Sequence, residues 1–235
     1  MSLIPTSCVD DFYEDPDSIR EYALSLDYKK EKGNYPGVRT KDLSYINKDF
    51  SQWSINRVLS LFFPGKFRWR GMTMFQKIYP IHEDPNHILN QGEIHFDDGY
   101  VLAGLIYLNP SSRLDSGTSI YQLKEEHKDY TFKGDISQKI KCYRDGKCEA
   151  FEKELGESNS RFDRILEIKN VYNRLLMYNA HLYHSQTNMH MGNDDFRLTQ
   201  VFFITDVVSE MMGPLHRSKQ YSQKELVFDE SYGKF

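Results

Sequence analysis

Residues Gly92–Pro110 read GEIHFDDGYVLAGLIYLNP, and their texture decides the fold class. A short run, Gly92–Phe96, gives way to the turn-forming Asp97-Asp98-Gly99 and then to the continuous apolar run Val101–Leu108. Runs of roughly four to eight residues bounded by turn residues read as strands, and an unbroken apolar run marks a strand covered on both faces. Outward from this segment the same texture recurs at Thr73–Tyr79, Thr118–Gln122, Val171–Tyr178 and Leu198–Ile204. Upstream the pattern is helical. Asp15 is a candidate N-cap with Pro16 at the first helical position, and Ile19, Ala23 and Leu26 share one face. A second helix is expected from about Ser51 to Phe63, with a stripe of Ile55, Leu59 and Phe62 and a stop at Pro64-Gly65. Asn34–Thr40 (NYPGVRT) between them is turn-rich and has no period. Several short strands after two helices favour a sandwich or barrel over a parallel α/β fold.

One stretch breaks the pattern. Lys124–Lys169 is rich in charge and poor in periodic apolar residues, with one helix expected near Cys148–Leu155. It reads as an insertion between two strands, on the rim and adding little to the core. The expected organisation is one domain over 1–235, with a helical part at 1–70, a β core at 71–208 interrupted by the insertion at 124–169, and a tail at 209–235.

Bulk properties narrow the class. The chain of 235 residues is 39% hydrophobic and 27% charged, an ordinary globular composition. Its 16 Tyr and 15 Phe favour pleated, half-buried surfaces. A net charge of −4 offers no global attraction to nucleic acid or anionic membranes, so neither is an expected partner. Cys8, Cys142 and Cys148 are sparse and odd in number, which reads as free thiols in a reducing compartment, with Cys142 and Cys148 on the surface. The start, MSLIPTSCVDDFYEDPD, lacks the basic and apolar regions of a signal peptide, and no apolar run reaches bilayer-spanning length. A cytoplasmic protein is the expectation; oligomeric state is not legible.

The chemistry concentrates in His95, Asp97, His184 and Arg197. Residues two apart on a strand point to the same side. His95 and Asp97 therefore present an imidazole and a carboxylate together, and His184, 89 positions on, offers a second imidazole. Two His and one carboxylate with open positions suit non-haem Fe(II). A 2-oxo acid chelating such an ion needs a cationic fork for its far carboxylate; Arg197 is the candidate, and Thr199 shares its strand face. His181 is the rival to His184, but three positions away it faces the other side of a regular strand. The plainer readings are a polar pair on a solvated strand for His95 and Asp97, and a salt bridge to Asp194 or Asp195 for Arg197.

These motifs, in this order, resemble the Fe(II)/2-oxoglutarate-dependent oxygenase superfamily and its prolyl-hydroxylase-like branch, over roughly Phe75–Ile204. Gln76–Pro80 (QKIYP) is similar to the strand before the metal motif, His95–Asp97 (HFD) to the HxD signature, and Leu105–Pro110 (LIYLNP) to the strand that follows. Ser116–Thr118 (SGT) resembles the family's glycine turn, Arg174–Ser185 (RLLMYNAHLYHS) the segment bearing the distal histidine, and Arg197–Thr199 (RLT) the co-substrate arginine and its hydroxyl neighbour. The helical start and YPGVRT are similar to those of phage and bacterial relatives. The long insertion, a single glycine in the turn and the extra acid Asp98 depart from the family pattern.

The resemblance implies a mainly β fold, a double-stranded β-helix (jelly roll) with N-terminal helices packed against it. It implies His95, Asp97 and His184 as Fe(II) ligands, and Arg197 and Thr199 at 2-oxoglutarate, with Tyr107 and Tyr79 where family tyrosines approach that co-substrate. The implied activity is a dioxygenase hydroxylating an unactivated C–H bond of an amino-acid, peptidyl or small-molecule substrate, with ascorbate as an auxiliary. Two other readings stay open: a cupin-like metal-binding barrel with a different reaction, which would not need Arg197, and a catalytically silent binding module on the same fold.

Overall fold

The computed structural model describes residues 5–30, 34–130, 136–192 and 194–210. All but the first two residues of the expected tail at 209–235 lie outside the described residues. The first helix, α1, spans Pro16–Ser25, and Asp15 caps it by accepting from the Ser18 backbone N–H at 3.1 Å. The second, α2, spans Lys48–Ser60, one turn earlier than the apolar stripe implies, because Asn47 caps the Phe50 N–H. Ile55, Leu59 and Phe62 are buried as the stripe requires.

The described residues also form, in chain order, nine strands: β1 (Ser7–Val9), β2 (Val38–Arg39), β3 (Phe67–Ile78), β4 (Leu102–Tyr107), β5 (Thr118–Leu123), β6 (Phe162–Ile168), β7 (Leu175–Asn179), β8 (Tyr183–Gln186) and β9 (Arg197–Ser209). The fold is mainly β. A large antiparallel sheet runs β1-β7-β4-β9-β3-β2, and a small one runs β6-β5-β8. The expected strand Gly92–Phe96 contracts to a bridge in which His95 pairs with His184 beside β8. The expected strand Val171–Tyr178 begins only at Leu175, because Asn173 takes a left-handed conformation (φ 61°) that turns the chain first.

Strand alternation explains the continuous apolar runs. On β9, Leu198, Phe202 and Ile204 face α1 and α2 and join Ala23, Ile55, Leu59, Phe75 and Ile106 in one core. Val201, on the opposite face, meets Met74, Leu105, Leu176 and Tyr178, and across the gap Ile120 and Ile168 of the small sheet. The large sheet is thus covered on both faces, by helices and by the small sheet.

The segment Lys124–Lys169 differs from expectation in two ways. Its last part, Phe162–Ile168, is β6 and pairs with β5. The remainder carries α3 (Ile136–Asp145) and α4 (Glu149–Asn159), whose Cys142, Tyr143, Phe151 and Leu155 bury a third cluster with Leu89. Cys142 and Cys148 are not surface thiols: they form a buried disulfide, because the turn from α3 to α4 brings their Cα atoms to 4.3 Å. Cys8 is free and exposed. The disulfide also removes the thiol-based reason for a reducing compartment. Among the described residues, no helix is long and apolar enough to cross a membrane.

Candidate metal centre and anion pocket

The bridge between His95 and His184 puts two imidazoles side by side, and Asp97, two residues on, joins them. Their ligand-type atoms all lie within 4.8 Å of one another. His184 Nε2 is 3.3 Å from Asp97 Oδ2 and His95 Nε2 is 3.8 Å from Asp97 Oδ1. Each ring is held from behind. His95 Nδ1 sits 2.8 Å from the Glu93 carbonyl and His184 Nδ1 2.8 Å from the Leu182 carbonyl. A carbonyl only accepts, so each Nδ1 carries its proton and donates, and each Nε2 presents a lone pair toward the cluster.

The electrostatics favour the same state. Burial, reinforced by the neighbouring His184 and Lys139, holds the His95 imidazole far below its usual range, at about 3. Its side chain keeps 38% of its surface open to a cavity. Burial pushes the Asp97 carboxyl up, but the His184 and His95 imidazoles and the Arg39 guanidinium near it outweigh that and hold the group low. A neutral His95 imidazole beside an ionised carboxylate suits a divalent cation. His181 belongs to the turn between β7 and β8, where its N–H donates to Asn179 Oδ1 and its side chain is exposed, so it does not reach the cluster.

From the cluster a narrow cavity of about 70 Å³ runs between the sheets to Arg197, past Gln76, Thr118, Tyr178, Gln186 and Val201. Arg197 is 1% exposed, and its Nε donates to the Ser116 carbonyl at 3.1 Å and an Nη to Thr118 Oγ1 at 3.2 Å. Tyr107, fully buried, donates to the same Thr118 hydroxyl at 2.9 Å, and the guanidinium carbon lies 5.2 Å from its ring centre. No described carboxylate pairs with Arg197; Asp194 instead accepts from Asn109. Thr199, beside it on the same strand face, has a buried hydroxyl with no hydrogen-bond partner. Burial lowers the Arg197 pKa, from so high a value that the group stays charged. The buried Arg197 cation lines this cavity, and with Thr118 and Tyr107 it makes a polar pocket beside which Thr199 stands on the same strand face.

Gly117 shapes this receptor. A Cβ there would sit 1.8 Å from the Ile168 carbonyl oxygen, so only glycine lets the turn lie close enough for Ser116 and Thr118 to hold Arg197. Tyr79 is not brought to the site. Ile78 pairs across to Arg197, so the next residue takes the other side, where Tyr79 is half-exposed against Phe196. A larger cavity of about 760 Å³ opens outward from the cluster and shares Arg39, His95, Asp97, Gln186 and Phe203 with the narrow one.

The sequence reading gave no role to Gln76, Tyr178, Gln186 or Arg39. Parity would have found two of them: Gln186 follows His184 by two on β8, and Gln76 pairs with Thr199. Tyr178 sits in an unbroken apolar run and Arg39 in an aperiodic turn, where no local signal marks either.

Two antiparallel sheets thus enclose a His-Asp-His cluster that could hold a metal ion and a cavity lined by a buried arginine. The chain belongs to a family of unknown function (DUF6445), whose model matches residues 3–196. No curated protein matches. Among solved structures it is similar to HygX from Streptomyces hygroscopicus with nickel and 2-oxoglutarate bound, at 13% identity and a TM-score of 0.50, covering 88% of this chain and 84% of that one. The same protein with nickel, 2-oxoglutarate and hygromycin B bound matches at 12% identity and a TM-score of 0.50, with the same coverage of 88% and 84%. The epimerase SnoN, in complex with Fe3+, alpha ketoglutarate and nogalamycin RO, matches at 10% identity and a TM-score of 0.49 over 88% of this chain and 81% of that one. The likeness to HygX is one of fold.

Proposed function

We propose that the chain is an Fe(II)- and 2-oxoglutarate-dependent oxygenase on a double-stranded β-helix, hydroxylating an unactivated C–H bond of a small-molecule substrate. One observation carries this reading: the buried Arg197, without a carboxylate partner, lies at one end of a slot whose other end is the His95, Asp97 and His184 cluster. A generic metal barrel has no need of such a cation, whereas a diacid chelating the metal does.

The two Nε2 atoms and the Asp97 carboxylate would hold the ion, and Arg197 with Thr199 the far carboxylate of the co-substrate. When bound, Fe(II) and 2-oxoglutarate supply the activation of dioxygen that C–H hydroxylation requires, with succinate and CO2 as co-products. The chain's part is orientation and dryness. Ser116 and Thr118 aim the guanidinium, and Tyr107 locks Thr118 as acceptor. Met74, Leu105, Leu176 and Val201 keep bulk water from the slot. HygX, which shares the fold, binds 2-oxoglutarate and a metal, consistent with this assignment. The motif match at HFD, His184 and RLT supports the prolyl-hydroxylase-like branch within the superfamily.

Anaerobic protein loaded with Fe(II) is titrated with 2-oxoglutarate while the metal-to-ligand absorption band is followed; air is then admitted and succinate measured. A saturable band and 2-oxoglutarate-dependent succinate are expected. Metal binding without either result would leave a barrel of another chemistry.

A further inference from the structure

We infer that Asn159 of α4 and Lys139 of α3 are positioning residues for His95, an inference that rests on reading the cluster as a metal site. The arm at residues 92–97 carries two of the three candidate ligands, yet it lies outside any strand. On one side β8 holds it. The Gly92 N–H donates to the Gln186 carbonyl at 2.9 Å, and His95 and His184 exchange backbone bonds of 3.1 and 2.8 Å. Neither the Ile94 N–H nor the Gly92 carbonyl pairs with β8, and backbone groups beside a packed site need partners. Asn159, the last residue of α4, supplies both. Its Oδ1 accepts from the Ile94 N–H at 3.0 Å, and its Nδ2 donates to the Gly92 carbonyl at 3.1 Å. One planar amide thus does for the arm what a peptide unit of a neighbouring strand would do.

These two contacts bracket Glu93, which is held in a third way. Its carboxylate pairs with Lys139 at 2.5 Å, and both side chains are nearly buried. The position of Glu93 matters because its carbonyl accepts from His95 Nδ1 at 2.8 Å. That bond keeps the proton on Nδ1 and turns the Nε2 lone pair toward the cluster. A carbonyl free to swing would let the ring rotate or change tautomer. The Cys142–Cys148 disulfide and the cluster around Leu89 tie α3 to α4, so Lys139 and Asn159 grip the arm from one unit. His184 has no need of such a grip, since it lies within β8 and pairs with β5.

The test uses the full-length protein, with Ni(II) as the probe ion. Asn159→Ala should weaken Ni(II) about tenfold in calorimetric titration, the low end of the roughly 10–100-fold of outer-shell changes, because it acts through the backbone. In metal-free protein, nitrogen NMR of labelled histidines reads the tautomer directly. The His95 ring, identified by its loss in His95→Gln, should move from the Nδ1-protonated form toward a mixture. Lys139→Met with Glu93→Met removes the ion pair without stranding a charge. It should move both readings the same way, and it carries the test if Asn159→Ala does not fold. Phe151→Leu thins the cluster around Leu89 without touching the arm, and should lower Tm while leaving both readings as in the parent. If Asn159→Ala and the double variant also lower Tm alone, with Ni(II) affinity and His95 tautomer unchanged, the contacts are only structural and the inference is overturned. A parent that binds no Ni(II) fails at the metal reading, before any variant is compared, and takes the inference with it. If the parent binds Ni(II) but not 2-oxoglutarate, the oxygenase reading fails, and the inference is decided by the same two readings.

Discussion

Replacing Arg197 by methionine separates a co-substrate receptor from a structural cation, because the two predict opposite signs. The side chain is 1% exposed and donates to the Ser116 carbonyl and the Thr118 hydroxyl, with the Tyr107 hydroxyl also beside it. A buried ion costs several kcal/mol in lost hydration, and two neutral acceptors offset only part of that. Arg197→Met, similar in length and apolar, is therefore expected to stabilise the ligand-free protein by about 1–3 kcal/mol. For a chain of this size, that is a rise in Tm of roughly 2–12 °C, at about 2–4 °C per kcal/mol. The same change should weaken 2-oxoglutarate about ten- to hundredfold, since hydrogen bonds to charged groups contribute about 1.5–3 kcal/mol. Metal affinity should hold, as Arg197 is not a ligand, and Arg197→Lys should recover part of the binding. Thermal unfolding with and without 2-oxoglutarate reads both signs at once: the parent gains Tm on adding it and the variant does not. A ligand-free variant that melts lower, with unchanged 2-oxoglutarate affinity, would show that the arginine is structural and refute the receptor argument.

Asp97→Ala and His184→Ala should each weaken Fe(II) or Ni(II) binding by at least about a hundredfold, beyond the 10–100-fold of an outer-shell change; His181→Ala should not, and calorimetric metal titration distinguishes them. Because burial lowers the His95 pKa from 6.5 to about 3, the unfolded chain binds the extra proton first, so metal-free stability should fall as pH drops through that window. His95→Gln should flatten the slope in urea unfolding measured across it. Gly117→Ala forces a Cβ against the Ile168 carbonyl oxygen and should weaken 2-oxoglutarate more than metal, as separate titrations would show. Cys142→Ser with Cys148→Ser opens a short loop worth about 2 kcal/mol in chain entropy; hydrogen exchange should rise over α3 and α4 while metal binding persists.

Legibility in the sequence followed the range of the forces involved. His95, Asp97 and His184 could be singled out because strand period and motif spacing act locally, and Arg197 with Thr199 because two-residue parity does. What failed was decided at longer range. Tyr79 reads like Tyr107 in sequence, but the pairing of Ile78 with Arg197 sends it to the other face. Cys142 and Cys148 read as surface thiols because the surrounding charge hides the few apolar residues, Tyr143, Phe151 and Leu155, that bury them. β6 was hidden for a related reason: its residues 163–166 are exposed, so the strand shows no apolar run. Arg39 carries no local signal at all; only the pairing of β2 with β3 brings it to the neck between the cavities.

The division of labour between the sheets explains why the site tolerates so charged an insertion. The large sheet contributes Gln76, Tyr178, Arg197 and Thr199 from strands whose opposite faces are locked into the helical core. The small sheet contributes Thr118, His184 and Gln186, with His95 and Asp97 on the arm beside β8. A one-residue slip in either sheet would turn these side chains away from the gap, so burial on both faces fixes the register that the chemistry needs. The helices α3 and α4 touch that frame at the arm before His95, where Asn159 accepts from the Ile94 N–H and donates to the Gly92 carbonyl and Lys139 pairs with Glu93. They leave after β5 and return at β6, bury their own cluster around Leu89, and reach the outer cavity only through Lys139 and Tyr143. Asn159 and Lys139 apart, sequence change in this segment falls on the outer wall and on the cluster around Leu89, away from His184 and Arg197. Choice of substrate can vary there while the register that gathers the candidate metal ligands stays fixed.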